Sequence, residues 1–402
     1  MYDAIVVGAR CAGSPTAMLL ARRGYRVLLV DRATFPSDTF RAHVIRMRGV
    51  RSLHRWGLLE RVVATNCPPL RRTLMDFGDF PLAGYPPGEG DIPGEYAPRR
   101  RVLDALLVEA AVEASAELWD AFTVDDLLTE DGRVCGITGR MANGTRASAR
   151  ARVVVGADGQ YSLVARKVGA EHYHARPSLT CAYYSYWSGT GIEGLEIHAL
   201  PQRRVMLAFQ TNDGLSAVAV GWPAEEFHMV RADLEGQFYR ALSLVPELEA
   251  QVRGGRREEP YRGTADLPNF FRQAYGQGWA LVGDASIHRD PAAASGISDA
   301  FHDAELLADA LDDGFSGRRP LDGALAGYAH QRDTIGLPFF EEACRTAALT
   351  PPPPQLLQLR AAIRGNQQAI DLHLGVGRGT VSEEEFRRRM AALAPVPAPA
   401  RG

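Results

Sequence analysis

Three glycine-rich turns, each following a short apolar run, carry the residues of this sequence that could bind a cofactor. They read GARCAG at residues 8–13, GADG at residues 156–159 and GDA at residues 283–285. Glycine permits a sharp turn out of a buried strand, and the free N–H groups at the start of a following helix attract a phosphate. The spacing therefore predicts an anion site built at the ends of several strands.

The first turn lies inside a complete strand–helix–strand pattern. Residues 4–7 form an apolar run, residues 14–23 have helical spacing, and Gly24 ends that helix. Residues 27–30 form a second buried strand, which ends on Asp31. A unit of about thirty residues with a terminal acid is the context in which a glycine-rich turn indicates dinucleotide binding. The alternative is a strand–helix–strand unit that only packs.

Each residue of this pattern has a predicted role. Gly8 allows the turn, Gly13 allows close packing of helix on sheet, and Asp31 accepts hydrogen bonds from ribose hydroxyls. Arg10 occupies the position of the usual middle glycine. Because backbone must approach phosphate there, we expect the Arg10 side chain to swing away, where it could contact the ligand itself.

Composition excludes several classes of function. The chain has 402 residues, 46% of them hydrophobic and 23% charged, and a net charge of −3. We expect two or three packed units and no nucleic-acid partner. The first strand begins almost at Met1 and no apolar run approaches the ~20 residues of a membrane helix. We therefore expect a cytoplasmic protein without a signal peptide or membrane span. The 5 scattered cysteines predict reduced thiols and no metal site.

Periodicity predicts the elements that position these turns. We expect helices over residues 50–62, 99–115, 298–311 and 319–348, and two more after the proline run that ends at Pro354. Asp-Gly and Asn-Gly turns within residues 118–155 predict a three-stranded meander. Alternating runs within residues 178–222 predict an antiparallel sheet, whose aromatic residues include Tyr184 and Tyr186.

With all three turns in this order, and an Arg-x-x-Leu helix between the first two, the chain resembles the FAD-dependent monooxygenases of the para-hydroxybenzoate hydroxylase type. The resemblance covers roughly residues 1–345. It implies an α/β fold with a Rossmann-like FAD-binding domain of the glutathione-reductase type, an antiparallel-sheet substrate domain and C-terminal helices. The implied FAD-binding domain takes residues 1–70, 98–170 and 262–345, the substrate domain residues 71–97 and 171–261, and the C-terminal helical segment residues 346–402.

The resemblance also implies which residues hold the cofactor. Asp31 would bind the ADP ribose, Arg100 the ribityl or phosphate region, Asp158 both FAD and nicotinamide, and Asp284 the ribityl hydroxyls. The full implied set is Gly8, Arg10, Cys11, Ala12, Gly13, Asp31, Arg32, Arg100, Val124, Asp158, Gly283, Asp284, Pro291, Gly296 and Ile297. The loop before Gly296 departs from the family's Gly-x-Gly, since Ala294 stands at its first position. A helix beginning near Gly296 would stabilise negative charge on a reduced flavin.

The implied reaction uses FAD, NADH or NADPH, and O2, and proceeds through a flavin C4a-hydroperoxide. It would hydroxylate or otherwise oxygenate a small, aromatic substrate, in specialised metabolism. We take His43 and Arg46 as candidate catalytic residues, and Tyr184 and Tyr186 as candidate substrate contacts; a structural role is the alternative for each. The sequence leaves the substrate, the choice of nicotinamide and the oligomeric state open.

Other flavoproteins compete with this interpretation. A flavin-dependent halogenase would need a lysine and a W-x-W-x-I-P string; the only lysine is Lys167, and the string is absent. A reductase of the geranylgeranyl reductase type has similar nucleotide motifs and saturates C=C bonds without O2. A flavoprotein that only binds its cofactor is the non-enzymatic alternative.

Overall fold

The computed structural model describes residues 1–39 and 43–393. Its helices are α1 Gly13–Ala21, α2 Met47–Arg55, α3 Leu59–Ala64, α4 Arg100–Glu113, α5 Leu163–Lys167, α6 Phe227–Ala232, α7 Leu234–Leu242, α8 Pro246–Gly254, α9 Gly296–Phe315, α10 Leu321–Ala347, α11 Pro354–Ile363, α12 Gln367–Arg378 and α13 Glu383–Leu393.

The strands are short and fall into two large sheets and two small ones. They are β1 Tyr2–Val7, β2 Val27–Val30, β3 Pro69–Leu70, β4 Thr73–Asp76, β5 Leu82–Gly84, β6 Glu95–Tyr96, β7 Glu117–Trp119, β8 Phe122–Glu130, β9 Arg133–Met141, β10 Arg146–Gly156, β11 His172–Arg176, β12 Thr180–Ser188, β13 Leu195–Leu200, β14 Arg204–Gln210, β15 Leu215–Pro223, β16 Arg256–Arg257, β17 Arg262–Thr264, β18 Asn269–Arg272, β19 Tyr275–Gly276, β20 Trp279–Leu281 and β21 Ile287–His288.

The first large sheet brings the three glycine-rich turns together. Its strand order is β19-β20-β10-β1-β2-β7, and the central strands β20, β10, β1, β2 and β7 run parallel. The turns follow β1, β10 and β20, so all three lie at the same edge of the sheet. Because ligands of open α/β sheets bind outside the carboxyl ends of the strands, this edge is where a dinucleotide site is expected.

Both faces of this sheet are covered. Val6 and Val155 face a core shared with α1, α4 and α9, whereas Ile5 and Val154 face the β8–β9 hairpin. The predicted meander is confirmed, because β9 pairs antiparallel with both β8 and the first half of β10. The expectation of an α/β fold with a second, antiparallel sheet and C-terminal helices is confirmed as well.

The second large sheet has the order β16-β12-β15-β14-β13-β4-β5. Strands β12, β15, β14 and β13 pair antiparallel. One face, including Met206, Val218 and Trp222, is buried under α6, α7 and α8. The other face points towards the first sheet, and there Tyr184, Leu207 and Ala219 are only partly buried.

Two helix predictions were wrong in detail. The helix expected over residues 50–62 is two helices, α2 and α3, because the chain turns at Gly57, where φ is +73°. After the proline run there are three helices in residues 354–393 and not two. Gly379 ends α12 in a left-handed conformation, which separates α13 from it.

Candidate functional site

A cavity of about 620 Å³ lies between the three glycine-rich turns and the open face of the second sheet. Most of the predicted cofactor residues line it: Gly8, Arg10, Cys11, Ala12, Asp31, Arg32, Arg100, Val124, Asp158, Gly283, Asp284, Pro291, Gly296 and Ile297. Gly13 does not line the cavity. The structure therefore gathers residues that are up to 289 positions apart in the sequence (8 to 297) around one space.

The GARCAG turn is shaped by close backbone approach. A Cβ on Gly13 would lie 1.7 Å from the carbonyl oxygen of Gly8, so only glycine lets α1 pack this close to β1. Gly8 itself has φ of +103°. Together they direct the N-terminus of α1, whose first turn contains no acidic residue, towards the cavity. Such a helix end attracts a phosphate.

Asp31 is held rigidly at the end of β2. Its Oδ2 accepts a hydrogen bond from the Ala9 N–H at 2.7 Å, and its Oδ1 accepts from the Ala33 N–H at 2.8 Å. A carboxylate has about four acceptor positions, so oxygen lone pairs are left for the hydroxyls of a ribose. The geometry suits the role that the sequence predicts for this acid.

The Arg10 side chain turns away from the phosphate turn. Its Nη1 donates to Asp104 Oδ2 at 2.6 Å, its Nη2 donates to Ser37 Oγ at 3.0 Å, and its guanidinium lies 5.5 Å from the centre of the Phe35 ring. This arrangement clears the space that a middle glycine would otherwise provide. The side chain thus swings away from the turn, and it still lines the cavity.

Asp104 is a site residue that the sequence reasoning missed. It is fully buried and also accepts from Arg100 at 2.9 Å, so one carboxylate orients two arginines at the cavity wall. Burial lowers the pKa of Arg100, but the charge and hydrogen bond of Asp104, together with Cys11 and Asp284, raise that pKa overall. The signal was present, because residues 100 and 104 are four apart on the α4 helix.

Cys11 lies in the same turn, with its Sγ 3.4 Å from Asp104 Oδ1. Burial raises the pKa of the Cys11 thiol well above its usual range. A neutral thiol is a poor nucleophile, so its position is best explained by small size in a tight turn.

The other two turns supply acids and a second helix end. Asp158 Oδ2 accepts from the Leu163 N–H at 2.6 Å; burial raises the pKa of Asp158. Asp284 lines the cavity in the GDA turn. Ala294, the departure from Gly-x-Gly, adopts φ of +50°, the left-handed conformation that glycine normally takes, and α9 begins two residues later at Gly296.

The open face of the second sheet forms an apolar trough, which we define by three cross-strand rows. These rows are Ala182–Gly221–Val205, Tyr184–Ala219–Leu207 and Tyr186–Ala217–Phe209, running from β12 through β15 to β14. The middle strand carries only alanine and glycine, so it forms a floor between larger side chains. All of these residues except Tyr186 line the cavity. Apart from Tyr184, the sequence reasoning named none of these lining residues, because alternation alone did not show which face was open.

His43 lies at the Tyr186 end of the trough. Its Nε2 is hydrogen-bonded to the Tyr186 hydroxyl, and its ring packs edge-on against Tyr184 at 5.3 Å between ring centres. Burial, followed by the charges of Arg100, Arg99 and Arg262, lowers the pKa of His43 to about 3. His43 lines the cavity and is neutral at physiological pH. Tyr186 is buried behind it, with the Arg99 guanidinium 4.5 Å from the ring centre.

Arg46 is placed differently from the other candidates. It does not line the cavity. Its Nε lies 3.2 Å from Glu95 Oε1, and its Nη2 donates to the Gly377 carbonyl oxygen at 3.0 Å, so it links α2 to the C-terminal helix α12. The structure thus brings His43 and Tyr184 to the cavity, with Tyr186 directly behind, and leaves Arg46 outside.

Comparison with known proteins points to FAD, the cofactor that the family resemblance implies. A family model described as "FAD binding domain" matches residues 1–228. Digeranylgeranylglycerophospholipid reductase 1 of Methanococcoides burtonii is 28% identical over 319 residues, which cover 76% of this chain and 73% of the relative. Kynurenine 3-monooxygenase of Salinispora arenicola is 28% identical over 338 residues, which cover 76% of this chain and 72% of the relative.

Solved structures share the fold over nearly the whole chain. The myxobacterial chondrochloren halogenase CndH superposes with a TM-score of 0.80 at 22% identity, covering 96% of this chain and 92% of its own. The p-nitrophenol 4-monooxygenase PnpA of Pseudomonas putida superposes with a TM-score of 0.74 at 18% identity, covering 98% of this chain and 97% of its own. At these identities the likeness is one of fold. No helix in residues 1–39 or 43–393 is long and apolar enough to cross a membrane.

Proposed function

This chain belongs to the family of FAD-binding domains, and from that premise we propose that it is a monooxygenase that uses NADH or NADPH and O2 to oxygenate a small aromatic substrate. One observation carries the proposal most directly. The space beside the dinucleotide-binding turns continues without interruption into the apolar trough. A cofactor held by the turns would therefore face a chamber suited to an apolar ring.

The residues fit FAD from end to end. Asp31 would hold the adenosine ribose, the N-terminus of α1 the pyrophosphate, and Arg100 and Asp284 the ribityl chain. The loop from Pro291 to the N-terminus of α9 would lie along the ring system. When bound, FAD supplies the redox chemistry, which transfers electrons from the nicotinamide to O2 and one oxygen atom to the substrate.

The task of the protein is then to hold the substrate and exclude water. Leu207, Phe209 and the alanine floor of β15 present apolar surface to the chamber. His43 lies at its edge as a neutral imidazole, since burial and then the charges of Arg100 and Arg99 oppose its protonation. A neutral imidazole can orient a hydroxyl or amino group of the substrate without placing a charge in the chamber. Tyr186 fixes the orientation of that ring through Nε2.

Oxygen consumption tests the proposal. The FAD-loaded protein is mixed with NADH or NADPH in air and under nitrogen, and nicotinamide oxidation and oxygen uptake are followed together. We expect oxidation to require O2 and to accelerate when the correct aromatic compound is supplied. Nicotinamide oxidation that proceeds equally well without O2, coupled to loss of a C=C bond in an added isoprenoid, would overturn it.

That second outcome defines the alternative function, an FAD-dependent reductase of the geranylgeranyl reductase type. The 28% identity to a digeranylgeranylglycerophospholipid reductase favours it. An apolar trough could also take an isoprenoid chain. A halogenase is disfavoured, because Lys167, the only lysine, pairs with Asp126 at 3.0 Å and does not line the cavity.

A further inference from the structure

A buried carboxylate lies at the end of the trough opposite His43. Asp290 is 2% exposed and lines the cavity. Its Oδ2 accepts a hydrogen bond at 2.6 Å from Thr180, which precedes Ala182 on the same face of β12. The trough is therefore apolar along its length and polar at both ends, with a neutral imidazole at one end and an acid at the other.

Asp290 has no cationic partner among residues 1–39 and 43–393: no ion pair there includes it. Its neighbour Arg289 pairs instead with Asp299, which Arg48 also contacts. His288 is committed elsewhere, because its Nδ1 is hydrogen-bonded to the Pro268 carbonyl oxygen. Burying a carboxylate without a cation costs free energy, and burial raises the pKa of Asp290. The fold nevertheless keeps this buried acid at the cavity wall.

A purely structural role explains only part of this arrangement. Asp290 Oδ1 accepts from the Ala292 N–H at 3.0 Å and caps the short turn Pro291–Ala293 that leads into α9. Its own N–H donates to Asn269 Oδ1 at 2.8 Å. An asparagine or serine could cap the same turn without a charge. The two hydrogen bonds that Asp290 accepts leave acceptor capacity on both of its carboxylate oxygens, since a carboxylate has about four acceptor positions.

We propose that Asp290 anchors the substrate by accepting a hydrogen bond from an N–H or O–H group at one end of a flat apolar body. This inference rests on the proposed function, because it assigns the trough to the substrate. It narrows the substrate class to aromatic compounds that carry a hydrogen-bond donor, and disfavours compounds whose only polar group is a carboxylate, which Asp290 would repel.

Indole and 1-methylindole test the inference as a matched pair, because they differ only in the N–H donor. Their dissociation constants are measured by calorimetry on the FAD-loaded protein. We expect indole to bind about tenfold more tightly, as befits a hydrogen bond to a charged acceptor. In Asp290→Ala the preference should vanish, and in Asp290→Asn it should shrink severalfold. Asp313→Asn is the control and should keep the preference, because Asp313 is a half-buried acid that pairs with Arg318 and does not line the cavity.

Each outcome decides one claim. Equal binding of both probes, binding of neither, or an unchanged preference in Asp290→Ala would overturn the inference. FAD content and thermal unfolding of every variant show whether it is folded; Asp290→Asn, which preserves shape, carries the test if Asp290→Ala does not fold. A protein that binds FAD and consumes oxygen but lacks the N–H preference would leave the proposed function standing, whereas one that takes up no FAD would remove that function independently.

Discussion

At the scale of single residues, the chemistry depends on how the fold changes the charge of a few side chains. The sequence placed His43 among the candidates, but its neutrality depends on burial and on Arg99, Arg100 and Arg262, which come from distant segments. The sequence also identified Asp31 from its position after a strand. It could not identify Asp290, which lies in no pattern that distinguishes a buried acid from an exposed one. Asp104 was missed although its spacing of four residues from Arg100 on α4 was a signal.

The lowered pKa of His43 predicts an acid-sensitive stability. A His whose pKa falls from 6.5 to about 3 on folding binds fewer protons in the folded state than in the unfolded state. The stability that depends on a neutral His43 is fully present above pH 6.5 and is lost progressively as the pH falls towards 3. Between pH 7.5 and 5, we expect the wild type to lose about 2 kcal/mol of unfolding free energy relative to His43→Gln. Urea unfolding at the two pH values measures this.

Exposed His54 provides the control for that series. His54→Gln should follow the wild type at both pH values. A wild type and His43→Gln whose stabilities change in parallel with pH would contradict the proposed neutral imidazole.

Asp31 predicts a direct effect on cofactor affinity. Asp31→Asn keeps the size of the side chain but removes the charge that strengthens hydrogen bonds from ribose hydroxyls. A charged hydrogen bond contributes about 1.5–3 kcal/mol, so we expect FAD to bind about 10- to 100-fold more weakly. Flavin fluorescence quenching measures the dissociation constant, and Asp3→Asn, an acid at the far end of β1, should leave it unchanged. Equal affinity in Asp31→Asn and wild type would remove Asp31 from the site.

At the scale of elements, periodicity predicted most helices and the meander because those patterns are local. The division of the expected helix over residues 50–62 was missed, since the conformation of Gly57 depends on its surroundings. Which face of the second sheet is open could not be predicted from the sequence either. Both faces of β15 are largely apolar, and only the packing of α6, α7 and α8 on one face reveals the other as a cavity wall.

The packing of α1 on β1 predicts that Gly13 cannot be replaced. In Gly13→Ala the new Cβ would lie 1.7 Å from the Gly8 carbonyl oxygen, so α1 must move away from the sheet. We expect a loss of about 3 kcal/mol in unfolding free energy and loss of FAD binding. Thermal unfolding and flavin content measure both effects.

Gly24→Ala is the matched control, because a Cβ at Gly24 meets no atom within 4 Å. Its left-handed φ of +86° still costs the alanine about 1 kcal/mol. FAD content should therefore be normal in Gly24→Ala. A Gly13→Ala protein with normal FAD content would show that α1 does not need this close approach.

At the scale of the whole molecule, the described C-terminal helices support the second sheet and do not enclose the cavity. The lining residues extend no further than Phe339. Arg360 is fully buried, with its Nη2 3.0 Å from Asp79 Oδ1, and Arg378 donates to the Leu70 carbonyl oxygen at 2.8 Å. The sequence could delimit this segment by its prolines but could not place it, because nothing local specifies which surface a terminal helix covers. Residues 40–42 and 394–402 lie outside the described part.

This arrangement predicts that a substitution in the C-terminal segment can lower the stability of the protein without weakening cofactor binding. Arg360→Ala removes a fully buried side chain that pairs with Asp79 and donates to the Met75 and Phe80 carbonyl oxygens, and should lower the unfolding free energy by about 3 kcal/mol. FAD affinity of the folded protein should not change. Arg364→Ala, which removes an exposed arginine just after the end of α11, should affect neither. Weaker FAD binding in folded Arg360→Ala would contradict this division of roles.

The most direct test of the account is the visible spectrum of the purified protein through one cycle of reduction and reoxidation. The protein is loaded with FAD, reduced anaerobically with NADH or NADPH, and mixed with oxygenated buffer while flavin absorbance is recorded. We predict about one FAD per chain, bleaching by the nicotinamide and rapid recovery with O2. A colourless protein would contradict the assignment of the cavity to FAD. A reduced flavin that scarcely reacts with O2 would contradict the monooxygenase and favour the reductase.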